Sequence, residues 1–328
     1  MAQKFYWEAV KEALREEMLR DPRVFLLGED IGVYGGAYGA TRGLFEEFGP
    51  ERVRDTAISE AAITGAAVGA AMAGMRPVAE IMYVDFMTIA MDQFANQAAK
   101  NRYMFGGKTT VPMVLRSEGG AGRCIAAQHS QSLETWFCHA PGCFVVAPAT
   151  PADAKGLLKT CIRDENPILF LEHKMLYGEK GEVPDGEFTI PLGVANVTRK
   201  GTQCTIVSYS RMANRSLEAA KKMAEKDGID CEVIDLRCLQ PLDIDCVLDS
   251  VRKTGKVVLV SEAYRNANIM CEVAMRINEH AFDYLDAPMQ RVCGADTPIP
   301  MSPTLEDEVI PTAEKICKAV RNLVNHKV

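Results

Sequence analysis

Chemistry in this sequence centres on one carboxylate. Glu60 lies in the segment DTAISEAAITGAAVGAAMAG (55–74), directly after Ser59, a good helix-capping residue. It therefore falls at the first position of a helix predicted from Glu60 to about Gly74. The positive end of a helix dipole favours an acidic residue there without any catalysis. The rest of the helix asks for more. Ala62, Gly65, Ala66, Gly69, Ala70, Ala73 and Gly74 leave almost no side-chain bulk, and each interior glycine costs about 1 kcal/mol relative to alanine. Close approach of another large element, from this chain or another, would offset that cost and bury Glu60 at the junction. Burial raises a carboxylate pKa by several units, whereas the dipole opposes it with at most ~2 kcal/mol. A dry junction thus predicts a glutamate able to hold a proton near neutral pH.

Other familiar motifs fail. The glycines at 32, 35, 36 and 39 never form G-x-G, so the dinucleotide fingerprint is missing. Gly106, Gly107, Lys108 and Thr109 suggest a phosphate loop, but Arg102 stands where its first glycine belongs. No G-x-S-x-G marks a serine hydrolase. The chain has 11 cysteines and no C-x-x-C pair, which argues against a zinc site or a disulfide scaffold and for a reducing compartment. His129 and His139 read as loop histidines that the residues alone do not tell apart.

The elements that must position these groups follow an alternating pattern. Residues 5–20 predict an amphipathic helix, 23–28 a buried strand and 28–42 a glycine-rich loop. Strands are predicted at 53–57, 76–84, 111–117, 143–149 and 167–173, and helices at 85–104 and 151–164. Residues 178–190 mix glycine, proline and charge without a helical period and predict a domain linker. Beyond it, strands at 204–210, 230–237, 257–263 and 289–294 alternate with helices at 212–227, 243–253, 267–282 and 312–326. This is an α/β chain with mostly parallel sheets, split near residue 185. Its 328 residues suit two domains. The net charge of −7 argues against nucleic acid as principal partner. The most apolar run, AITGAAVGAAMAGM (62–75), is shorter than the ~20 residues of a membrane span. With no signal core at the N-terminus, the expectation is a cytoplasmic protein with no membrane partner.

Several strings, in order, cover nearly the whole chain: GEDIGVYGGAYGATRGL (28–44), RVRDTAISEAAITGAAVGAAMAGMRPVAE (52–80), DFMTIAMDQFANQAAKNRYMFGG (85–107), AAQHSQSLETWFCHAPG (126–142), DAKGLL (153–158), LYGEKGEVP (176–184) and RCLQPLD (237–243). In these the sequence resembles the beta subunit of the thiamine-diphosphate-dependent, decarboxylating component of 2-oxo acid dehydrogenase complexes. The resemblance implies a transketolase-like pyrimidine-binding domain (1–185) and a transketolase C-terminal α/β domain (186–328). It implies that Glu60 bonds a pyrimidine nitrogen of thiamine diphosphate and drives it to the imino form. Met82 and Phe86 would line the pyrimidine pocket, and His129 would assist proton transfer as an acyl group passes to lipoamide. A potassium ion held by the backbone carbonyls of Met113, Cys161, Ile162, Asp164 and Asn166 is also implied.

The family's Gly-Asp-Gly…Asn signature, which holds magnesium and the cofactor diphosphate, lies on its alpha subunit and does not occur here. The resemblance therefore implies that this chain holds only the pyrimidine half of the cofactor. It also implies an alpha partner, in a heterotetramer of two alpha and two beta chains, and a lipoyl acyltransferase core contacted through Asp286. RYMFGGK (102–108) and EHKMLYGEKGEVP (172–184) are most similar to acetoin dehydrogenase beta subunits. Pyruvate and then branched-chain 2-oxo acids are the next substrates, and a transketolase-like half-enzyme is the rival reading.

Overall fold

A computed structural model describes residues 1–325 of the chain. The chain divides into two units, Met1–Gly119 with Trp136–Leu192, and Gly120–Thr135 with the residues from Gly193 onward. Compared with the single cut expected at 185/186, the division falls seven residues later, and one internal loop belongs to the second unit.

The first unit begins with β1 (Ala2–Phe5), α1 (Tyr6–Arg20), β2 (Val24–Gly28), α2 (Leu44–Phe48), β3 (Val53–Asp55), α3 (Glu60–Met72) and β4 (Arg76–Ile81). A 3-10 turn (Val84–Thr88), a π turn (Asp92–Ala98), α4 (Ala99–Met104) and β5 (Val114–Gly119) follow. After the excursion come α5 (Glu134–Cys138), β6 (Phe144–Val146), α6 (Pro151–Arg163), β7 (Ile168–His173) and β8 (Lys180–Val183). The main sheet of this unit runs β6-β7-β5-β4-β2-β3, every pair parallel. Its central strands are buried throughout, which is why they read as continuous apolar runs. Helix α1 buries Tyr6, Ala9, Val10, Ala13, Leu14 and Met18 on one stripe and packs on α6. Helix α6 starts with Pro151 after Thr150, whose hydroxyl accepts the Asp153 N–H at 3.1 Å.

Three expectations are corrected. The single helix expected at 85–104 is a 3-10 turn, a π turn and a short α-helix in succession, entered from β4 through Tyr83 at φ 85°. The expected linker at 178–190 is packed into the first unit. Strand β8 pairs antiparallel with β1, the Ile190 N–H donates to Gly156 O at 3.2 Å, and Glu187 pairs with Arg163 at 2.6 Å and with Lys159. Ser59 occupies the cap position of α3, but its side chain makes no capping bond.

The second unit contains β9 (Asn196–Arg199), β10 (Cys204–Ser208), α7 (Arg211–Asp227), β11 (Cys231–Asp235), β12 (Cys238–Gln240), α8 (Ile244–Thr254) and β13 (Val257–Tyr264). It continues through α9 (Ile269–Ala281), a 3-10 turn (Phe282–Tyr284), β14 (Gln290–Gly294), α10 (Pro303–Val309) and α11 (Ala313–Val324). The helix expected at 312–326 is therefore present, with its last residue outside the described region. The sheet runs β14-β13-β10-β11-β9, parallel except at the β9 edge. Its core packs Ile206, Val233 and Val258 of the strands against Ala219, Met223, Ile316 and Val320 of α7 and α11. Among the described residues no helix is long and apolar enough to cross a membrane, and none of the cysteines forms a disulfide.

Candidate active site

In a parallel sheet, loops leaving the carboxyl ends of neighbouring strands converge, and ligands bind there. In the first unit Gly28 pairs with Asp55 on one side and Glu80 on the other, so β3, β2 and β4 end side by side. Glu29 follows β2, Glu60 follows β3 and Met82 follows β4. Backbone bonds fix this edge: the Thr56 N–H donates to Gly28 O at 3.0 Å and the Gly32 N–H to Asp55 Oδ1 at 2.7 Å. Gly28 is required here, since a Cβ on it would meet the Glu80 carbonyl oxygen at 2.9 Å.

Glu60 opens α3 and is 9% exposed. Its carboxyl lies on the buried face of the helix with Thr64, Ala67, Val68 and Ala71. Thr64 Oγ1, one turn on along the same face, is buried without a hydrogen-bond partner. A buried polar group without a partner is costly and marks a place where a ligand would supply one. Burial, then the negative charge of Glu60, pushes the neighbouring Glu29 carboxyl above the usual carboxylate range. Met82 and Phe86 are half-buried, and the ring of Phe86 lies 6.4 Å from that of Tyr83. The edge thus offers the Glu60 carboxyl, a second carboxyl beside it, and soft and aromatic side chains suited to a flat ring.

The small residues of α3 answer the packing question. Ala62, Ala66, Gly69 and Ala73, spaced four, three and four apart, form an exposed stripe, and nothing in the chain lies within 4 Å of a Cβ built on Gly69. The opposite face packs on β4 and the π turn. Among the described residues no other element makes the close approach expected at Gly69 of this helix.

Behind the edge lies a buried charge network that the sequence did not single out. Arg116 Nε and Nη2 donate to the two oxygens of Glu172 at 2.6 and 2.9 Å, and Nη1 pairs with Glu80. The Tyr177 hydroxyl donates to Glu118 at 3.0 Å and contacts Glu172. Burial, then repulsion from Glu80 and Glu172, leaves Glu118 pushed up to about 8. Its Oε2 lies 3.4 Å from the Tyr83 N–H, between Met82 and Phe86 in sequence. The signal available in the sequence was polar residues inside apolar strands, Glu80 in VAEIM and Arg116 in VLRS.

His129 is half-buried on the loop assigned to the second unit, with its N–H 3.4 Å from Ala126 O. Asp286, also in that unit, is exposed and lies 3.5 Å from Lys256 Nζ. Phe282 and Tyr284 beside it in sequence are exposed as well.

The carbonyls expected to hold potassium lie at the amino ends of β5 and β7, the opposite edge of the sheet from Glu60. Met113 O accepts the Ile168 N–H at 3.0 Å and Cys161 O the Asp164 N–H at 3.3 Å. Ile162 O and Asp164 O accept from Arg76 Nη1 at 3.0 and 2.9 Å. Arg76 pairs further with Glu165, and Asn166 is tied to Asp164 Oδ1 at 2.8 Å. Protein donors, one of them cationic, bond four of these five oxygens. Arg76 thus brings a positive charge to the carbonyls of Ile162 and Asp164, two of the five at which the resemblance implies a potassium ion.

Residues 3–180 match the family described as the transketolase pyrimidine-binding domain, and residues 193–316 the transketolase C-terminal domain. The chain is 50% identical over 323 residues to the beta subunit of acetoin:2,6-dichlorophenolindophenol oxidoreductase of Cupriavidus necator, covering 95% of each chain. It is 46% identical to the 2-oxoisovalerate dehydrogenase beta subunit of Bacillus subtilis, covering 97% of this chain and 98% of that one. It is 44% identical to a pyruvate dehydrogenase E1 component beta subunit of Rickettsia felis, covering 98% of each. A solved split-gene transketolase, an inactive β4 tetramer, superposes with a TM-score of 0.80 at 24% identity over 98% of this chain and 99% of that one.

Proposed function

The chain belongs to the family of thiamine-diphosphate-dependent acetoin and 2-oxo acid dehydrogenase beta subunits, and from that premise we propose that it works with an alpha subunit to cleave the carbon bond next to a substrate carbonyl and pass the acyl group to lipoamide. The observation that carries this reading is Glu60, a carboxyl on the buried face of its helix at the carboxyl edge of a parallel sheet, one turn from the unpartnered Thr64 hydroxyl. Its surroundings fit the pyrimidine half of the cofactor. When bound, thiamine diphosphate would supply a nucleophilic thiazolium carbon and an electron sink.

The chain's own contributions follow from the geometry. Glu60 would share a proton with a pyrimidine ring nitrogen. Met82 and Phe86 would pack on the ring faces and exclude water. Glu29 stands beside Glu60, its own carboxyl pushed up by burial and then by the charge of that neighbour. His129 would carry a proton at an imidazole nitrogen when the acyl group moves to lipoamide.

The diphosphate and its magnesium would sit on the alpha chain, since no Gly-Asp-Gly occurs here. The bare stripe of α3 supports such a partner, because alanine and glycine let a second backbone come close. A two-alpha, two-beta heterotetramer joined to a lipoyl acyltransferase core is the assembly proposed, with Asp286 as the contact to that core. A cytoplasmic setting is supported by 11 cysteines with no disulfide among them.

Acetoin is the preferred substrate, because the Cupriavidus relative is 50% identical against 44% and 46% for the pyruvate and 2-oxoisovalerate relatives. The test is reconstitution with the alpha chain and dye reduction on acetoin, pyruvate and a branched-chain 2-oxo acid. Turnover led by acetoin supports the reading; turnover only on sugar phosphates would replace it with the transketolase-like one.

A further inference from the structure

The loop from Gly120 to Thr135 carries His129 and is strained. Gly120 and Gly122 take φ of 86° and 106°, but Cys124 and Ala126 also stand at 56° and 63° without glycine's freedom. Such residues persist only where their surroundings hold them. Two carboxylates of the second unit do so at the start of the loop. Glu262 Oε1 accepts the Ala121 N–H at 2.6 Å. Glu306 Oε1 accepts the Gly122 N–H at 2.9 Å, and its Oε2 accepts both the N–H and the thiol of Cys124 at 3.2 Å.

Glu306 is 3% exposed and, among the described residues, has no cationic partner, so these loop donors are what satisfy its charge. Arg211 closes the same corner, 3.3 Å from Ala121 O and 3.8 Å from Glu262. Ala121 is buried against Ile299 and Ile310. The far end is fixed as well: Glu134 pairs with the Tyr209 hydroxyl, itself 2.8 Å from Ser261 Oγ, and Thr135 Oγ1 accepts the Ile269 N–H at 3.1 Å. His129 lies on the short span between these anchors.

We propose that Glu306 is a positioning residue for acyl transfer: by accepting the Gly122 and Cys124 donors it locks the strained loop and so fixes the place of the His129 imidazole. It touches no reacting atom itself. The proposal rests on the reading of His129 as the proton carrier in transfer to lipoamide.

The experiment uses the reconstituted alpha–beta complex and measures dye reduction, which bypasses lipoamide, alongside transfer to a free lipoyl domain. Glu306→Ala and the isosteric Glu306→Gln, whose amide would turn N–H groups toward N–H donors, should lower kcat for transfer by about 10- to 100-fold. Dye reduction should stay within about twofold, since the first step needs only the Glu60 edge. Glu306→Asp, which keeps the carboxylate, should recover part of the transfer rate. His129→Ala is the control for the parent reading, and its transfer rate should fall at least as far. Normal transfer in His129→Ala would overturn that reading. Loss of transfer in His129→Ala with normal transfer in both Glu306 variants would overturn the positioning role alone. Equal loss of dye reduction and transfer in every Glu306 variant would make Glu306 merely structural, and also overturns it.

Discussion

Arg76 Nη1 donates to the carbonyl oxygen of Ile162 at 3.0 Å. The same nitrogen reaches Asp164 O at 2.9 Å, so one guanidinium gathers the chain end between α6 and β7. Arg76 opens β4 and its guanidinium is buried, with Asp21 at 3.8 Å completing the charge balance. A fixed positive charge therefore sits at carbonyls where the resemblance implies a potassium ion, and we expect it to make an added alkali cation unnecessary there.

The first prediction follows directly. Replacing KCl by choline chloride at equal ionic strength should leave the Tm of the complex unchanged. Arg76→Ala should lower Tm by several degrees, as about 2 kcal/mol or more is lost with a buried charged donor. Potassium should then recover part of that loss where choline does not. A native protein stabilised by potassium over choline would contradict the account.

A second prediction concerns Arg116, which is 1% exposed and neutralises Glu172 and Glu80 together. Arg116→Ala leaves two carboxylates buried without their cation and should cost about 3–5 kcal/mol, seen as a large drop in Tm or failure to assemble. A companion Arg116→Met with Glu172→Gln should recover only part of the loss, because it removes one of the two orphaned carboxylates and leaves Glu80 buried without its cation. A single variant as stable as the native chain would show that the network is worth little.

How much of this was legible beforehand depended on the range of the interaction. The alternation of apolar strands and helices is a local pattern, so β2, β4, β7, α6 and α7 stand where their periodicity puts them. Glu60 was legible because a run of small residues after a carboxylate is odd on its own terms, and its burial agrees with that reading. The roles proposed for Met82, Phe86 and His129 rest on family resemblance, since nothing in their spacing marks them. What stayed hidden is long-range. Arg76 meets Ile162 across 86 positions, and Glu306 meets Gly122 across 184. No window of sequence holds both partners. The break at Tyr83 was hidden for another reason: a positive φ at an aromatic residue is imposed by its surroundings, not by its propensity.

The third prediction is a pH dependence from Glu118. Burial and its carboxylate neighbours raise its folded pKa from 4.5 to about 8. The folded state then holds a proton that the unfolded chain releases, so its contribution is full below about 4.5 and lost as pH rises toward 8. Within that window the native protein should lose up to about 1.4 kcal/mol per pH unit from this group. Glu118→Gln should flatten the slope of Tm against pH between 5 and 8, while a slope that does not change would rule Glu118 out as its source.

The fourth prediction concerns the surface at Asp286. Its carboxylate is solvent-facing and only loosely tied to Lys256, at 3.5 Å. Asp286→Lys should weaken binding of the acyltransferase's subunit-binding domain by about tenfold or more, with a shallower salt dependence, and leave dye reduction untouched. Calorimetric titration with that domain distinguishes this from a bystander carboxylate, for which binding would not change.

The central claim is that Glu60 carries the proton that the chemistry needs. Glu60→Gln keeps the shape of the site and removes only the acid–base function. In the complex with the alpha chain, turnover of acetoin and pyruvate in dye reduction should fall by about 100-fold or more, with Tm and assembly unchanged. Near-native turnover in that variant would contradict the account.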